Sequence, residues 1–182
     1  MKLVVTMVMS TLYMTVKPSK PFNPILGETY EGFMCLNNKE KEKEIESVRN
    51  GSTVSPAAQI EVFKAYLEQT CHHPPISNFL FEGNMVRIYG NFECVGKNSK
   101  NSYNIKNSGP CTVEFLDTKQ KIRFQLPDTV MSGILFGTMQ LYLHNSMIFH
   151  DKENELKAHV TFDSDHTDKL KGSIYKFDKQ KL

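Results

Sequence analysis

The run Glu68-Gln69-Thr70-Cys71-His72-His73-Pro74-Pro75-Ile76-Ser77 gathers several side chains able to do chemistry. Two adjacent imidazoles can bind a metal, move protons or, once protonated, hold an anion. Each role needs partners. A zinc site wants a third ligand, and the chain has no H-E-x-x-H or comparable spacing. A cysteine hydrolase would need a histidine to hold its nucleophile. Cys71 adjoins His72, but neighbours on an extended chain point to opposite faces. By the same rule the rings of His72 and His73 diverge on a regular strand, unless the Pro74-Pro75 turn distorts the path.

The segment Lys20-Pro21-Phe22-Asn23-Pro24-Ile25-Leu26-Gly27-Glu28-Thr29-Tyr30-Glu31 is the second candidate. Pro21 and Pro24 fix an extended path, Asn23 is held out of the helical region by the proline after it, and Gly27 permits a tight bend. Such a loop can present Lys20 and Asn23 to a ligand, although most proline-rich loops are only connections. His144, His150, His159 and His166 have no partner pattern, and ordinary strand or surface positions account for them.

The elements that must position these residues read as mainly β. Residues 1–16 carry apolar side chains almost all round, which predicts a buried helix. That run is too short and too rich in hydroxyls to span a bilayer, and no small-x-small cleavage site follows it. Met1, Met7, Met9 and Met14 fall in it as flexible packing residues. Thr29 to Leu36 alternates as a strand. Residues 37–50 are a Lys/Glu insertion whose charges cancel. Ser55 to Leu67 fits either a capped helix or a strand over Glu61 to Leu67. Beyond Pro75 the pattern is a succession of short strands. Met85–Asn91, Gln120–Leu126, Ile134–Leu143, Leu156–Phe162 and Leu170–Phe177 are separated by turn clusters. Ile122, Phe124 and Leu126 point one way, Lys121, Arg123 and Gln125 the other. This spacing predicts an antiparallel sheet that curls or closes to remove its edges.

Composition excludes more than it selects. The chain has 182 residues, enough for one domain with a core, and a formal net charge of +2, too small to argue for nucleic acid. Residues 84–126 hold seven Lys or Arg against three acids, which fits a solvated face or a weak attraction to anionic membrane. Cys35, Cys71, Cys94 and Cys111 are scattered and read as free thiols in a reducing cytosol.

Together, KPFNPILGETYE (Lys20 to Glu31) and EQTCHHPPIS (Glu68 to Ser77) resemble the fingerprint of the oxysterol-binding-protein-related family, a KPFNP-x-x-GE loop followed by EQ-x-x-HHPP. Thr70 and Cys71 stand where Val and Ser are more usual. The resemblance implies a nearly closed antiparallel lipid-binding barrel around an apolar tunnel, with an N-terminal helix. It implies exchange of a sterol or another lipid against phosphatidylinositol 4-phosphate between membranes, with no bond made or broken. Lys20, Asn23, His72 and His73 would then hold the phosphoinositide headgroup through charge-assisted hydrogen bonds. No catalytic residue, metal or cofactor is implied. The partners would be a lipid and, transiently, a membrane surface, with a cytoplasmic, membrane-peripheral location. Against the family pattern, residues 1–182 read as a single partial domain lacking the lid and the C-terminal headgroup contacts. The alternative is a membrane or protein interaction module that keeps the fold without transferring lipid.

Overall fold

The computed structural model describes residues 1–12, 24–35, 62–162 and 170–177. Among them, helix α1 (Lys2–Leu12) precedes twelve strands. These are β1 (Thr29–Cys35), β2 (Val62–His72), β3 (Pro75–Glu82), β4 (Val86–Ser99), β5 (Ser102–Ser108) and β6 (Cys111–Phe115). There follow β7 (Lys121–Phe124), β8 (Asp128–Ser132), β9 (Gln140–His144), β10 (Ser146–Asp151), β11 (Leu156–Phe162) and β12 (Leu170–Lys176).

All the strands belong to one sheet with antiparallel pairings, ordered β1-β2-β3-β4-β6-β7-β10-β11-β12. Strand β4 pairs with β3 along one edge and shares its other edge between two partners. Its first half, Val86 to Gly90, pairs with β6, while Glu93 to Ser99 pairs with β5. The β5-β8-β9 ribbon therefore leaves the main path as a flap. Glycines make the divergence possible. A Cβ on Gly90 would meet the Pro110 carbonyl at 2.2 Å, and one on Gly109 (φ +108°) would meet the Asn91 carbonyl at 2.4 Å. Both contacts are backbone-tight, so neither position accepts a side chain without a shift.

The core lies between one face of this sheet and the helix. Val113, Ile122, Phe124, Met147, Phe149, Ala158 and Val160 face a stripe of Val4, Val8 and Leu12. That stripe repeats every four residues, the spacing that keeps side chains on one side of a helix. Phe124 and Phe149 stack with centroids 5.0 Å apart. The helix is not buried all round as its composition suggests: Leu3 is 72% exposed, because only one side meets the sheet.

The strand expected at Ile134–Leu143 begins only at Gln140, and the apolar residues before it form an exposed loop. The ambiguous stretch before Leu67 resolves as strand from Val62, the residues before it lying outside those described. The Lys/Glu insertion, 37–50, also lies outside them. Among the described residues the sheet does not close: β1 and β12 end the path, and β12 is exposed along its whole length.

Candidate functional site

The two motifs meet in space. Residues 24–28 form a turn in which Ile25 N–H donates to Glu28 Oε2 (2.9 Å) and Glu28 N–H to the Ile25 carbonyl (3.0 Å). Gly27 takes a left-handed conformation there (φ +78°), which glycine adopts without steric cost. The turn is fastened to β2: Gly27 N–H donates to the Gln69 carbonyl (2.8 Å), and Gln69 N–H to the Glu28 carbonyl (3.1 Å). From that point β1 runs antiparallel to β2, with Thr29 opposite Glu68.

Gln69 organises the other side as well. Its side chain is 3% exposed, accepts from Ser77 Oγ (2.7 Å) and donates through Nε2 to the Cys71 carbonyl (2.9 Å). The bond to Cys71 spans an irregularity: the β2–β3 register slips between Gln69 and Cys71, leaving Thr70 as the extra residue. Asn78 Nδ2 donates to Thr70 Oγ1 at 2.7 Å, so the bulge is held by side chains on β3.

Strand β2 ends at His72, and His73 and Pro74 form the turn into β3, with a cis His73–Pro74 peptide. His73 therefore escapes the alternation of the strand. The two rings do not diverge: their centroids lie 4.5 Å apart at an interplanar angle of 57°, and both residues are exposed. Two imidazoles in that relation can converge on one small anionic group. Lys20 and Asn23 lie outside the described residues, which resume with Pro24 at the turn beside Gln69.

Sequence reasoning missed Gln69. Its only signal was its place inside the second motif, since a glutamine in an alternating strand is usually read as solvent-facing. Cys71 is half-buried beside the pair, and burial pushes the thiols of Cys94 and Cys111 up, that of Cys111 to about 11. Among the described residues no three of His, Cys, Asp and Glu gather as a metal site. None of the described helical residues forms a segment long and apolar enough to cross a membrane.

A groove of about 600 Å³ lies elsewhere, on the face of β7 and β10 turned away from the core. Its lining mixes charged side chains, among them Lys106, Arg123 and Asp128, with apolar ones such as Phe124, Leu126 and Ile148.

A sequence family described as "Oxysterol-binding protein" matches residues 1–182. "Oxysterol-binding protein 9" of Dictyostelium discoideum is 32% identical over 168 residues, covering 89% of this chain and 32% of that protein. "Oxysterol-binding protein-related protein 5" of Mus musculus is 30% identical over 165 residues, covering 89% of this chain and 17% of that protein. Among solved structures, the Osh1 ORD domain in complex with cholesterol superposes with a TM-score of 0.65 at 22% identity, covering 87% of this chain and 33% of that one. The Osh3 ORD in complex with PI(4)P from Saccharomyces cerevisiae gives 0.59 at 22%, covering 80% and 32%. These likenesses establish the fold. The chain spans about a third of the length of the first of these relatives and of both solved chains.

Proposed function

The chain belongs to the oxysterol-binding protein family, and from that premise we propose that it is a lipid-binding module, not an enzyme, which takes a phosphoinositide headgroup beside the β2–β3 turn. The observation that carries the reading is the junction of the two motifs. The 24–28 turn is hydrogen-bonded to Gln69, three residues before the His72–His73 pair. A phosphate needs convergent donors, and two exposed imidazole rings 4.5 Å apart on one turn can offer ring N–H groups to it. Lys20 and Asn23 would add a cation and an amide from the loop that leads into Pro24. The relatives' structures hold PI(4)P in one case and cholesterol in another, so phosphatidylinositol 4-phosphate and a sterol are the ligands to test. Exchange of the two between membranes, by a cytoplasmic protein peripheral to them, is the activity this binding would serve.

Strands β1 and β12, which lack a further partner among the described residues, favour a second reading, a module that contacts membranes or proteins without loading lipid. Lipid extraction separates the two. The purified chain is incubated with mixed liposomes, re-isolated, and its bound lipid identified by mass spectrometry. We expect phosphatidylinositol 4-phosphate with the native sequence and none with Lys20→Ala, His72→Ala and His73→Ala combined. A folded native chain that carries no lipid overturns the proposal and leaves the second reading.

A further inference from the structure

The loop between β8 and β9 exposes Ile134, Leu135, Phe136 and Met139 at 46, 66, 78 and 65%. Leaving so many large apolar side chains in water at one place costs solvation, and such patches mark contact sites. Nor is the loop slack. Asn101, at the tip of the β4–β5 hairpin, accepts from the N–H groups of Leu135 (2.8 Å) and Phe136 (3.0 Å) through Oδ1. Its Nδ2 donates to the Phe136 carbonyl (2.8 Å), and its own carbonyl accepts from Gly133 N–H (3.0 Å). The N–H groups of Leu135 and Phe136 and the Phe136 carbonyl are thus paired within the protein, which lowers the cost of carrying them into lipid.

Charge points to the same occupant. Residues 95–108 contain Lys97, Lys100 and Lys106 and no acid, and residues 129–144 contain no Asp, Glu, Lys or Arg. Lys97 and Lys100 are exposed beside the apolar tip. Register sets the tip at the headgroup end of the sheet. Ile76, two residues after the His73–Pro74 turn, pairs with Glu93, and β4 continues from there to Ser99 before its hairpin. Six further residues carry the tip on the order of 20 Å past the histidines. Ile25 (70% exposed) and Leu26 (64% exposed) also sit at that end, in the turn before β1.

We propose that the β8–β9 loop and the β4–β5 hairpin form a membrane-docking tip, with Leu135 and Phe136 entering the interfacial zone of an anionic bilayer and Lys97 and Lys100 lying against its headgroups. This deepens the lipid-binding reading, on which it rests, by naming the surface that meets the membrane.

The chain contains no tryptophan, so Phe136→Trp is a sole fluorescent reporter. Phe33→Trp, on an exposed residue toward the opposite end of the sheet, is its control. With vesicles of phosphatidylcholine and phosphatidylserine, the Phe136→Trp emission shifts to the blue and is quenched by brominated acyl chains. The Phe33→Trp emission does not change. Lys97→Gln with Lys100→Gln weakens binding about tenfold or more at low salt. Leu135→Ser with Phe136→Ser abolishes pelleting with the vesicles while leaving the melting curve in place, because both residues are exposed. Vesicle binding with an unshifted Phe136→Trp overturns the inference, as does a shift at Phe33→Trp instead. A shift that tracks protein concentration without vesicles assigns the tip to a second copy and overturns it too. Absence of all vesicle binding overturns it as well, and lipid loading, measured separately, then decides the reading beneath it.

Discussion

His150 illustrates how far a single residue reports its surroundings. It sits in β10 opposite Arg123 of β7 and Lys157 of β11, with its ring centroid 6.2 Å from that of Phe177 in an edge-on arrangement. The Lys157 ammonium lies over the same Phe177 ring at 4.7 Å. Burial lowers the proton affinity of the His150 imidazole below its usual 6.5, and the charges of Lys157 and Lys152 lower it further. The unfolded chain therefore binds this proton more strongly than the folded one. Stability is fully present above about 6.5 and falls as the pH drops through that value toward the lower folded one. The urea midpoint is expected to fall across this window in the native sequence and to fall less in His150→Asn. Equal losses in both would assign the pH dependence elsewhere. At this scale the sequence marks His72 and His73 by their company and gives nothing for His150, whose neighbours Arg123, Lys157 and Phe177 are distant in the chain.

Among the elements, the β2–β3 hairpin depends on Gln69 more than on its turn. One buried amide spans the bulge, and its backbone holds the 24–28 turn. Gln69→Ala leaves the Cys71 carbonyl and Ser77 hydroxyl without that partner, at a cost of about 1–3 kcal/mol. Urea unfolding measures that cost, and an unchanged midpoint would show that water or a neighbour replaces the amide. Strand β7 was legible because Ile122 and Phe124 alternate with Lys121 and Arg123, and the sheet buries that same pair. The Ile134–Leu143 run misled for a physical reason. Hydrophobicity says that a segment prefers to leave water, but not what it leaves water for. Here the decisive contacts come from Asn101, more than thirty residues away, and from Gly133 and Gly137, both at positive φ. Helix α1 shows the converse: its composition was uniform, and the single sheet face it meets selects Val4, Val8 and Leu12.

Across the whole molecule, the antiparallel class followed from strand spacing, whereas the route of the sheet did not. The divergence at β4 depends on which partner each half of one long strand finds, a register choice with no local signature. That divergence sends the β5-β8-β9 flap past the His72–His73 turn, so the proposed headgroup site and the proposed docking tip share one end. On that proposal the molecule would meet a membrane with the same end that would take the lipid. The headgroup site is the center of this view, and ring-nitrogen NMR of the histidines tests it most directly. A water-soluble, short-chain phosphatidylinositol 4-phosphate is titrated into the labelled chain, with signals assigned through His72→Gln and His73→Gln. The His72 and His73 ring signals are expected to move together and saturate at one ligand per chain, while those of His144 and His159 hold still. Saturable binding that leaves His72 and His73 unmoved would contradict the site and place the headgroup elsewhere on the protein.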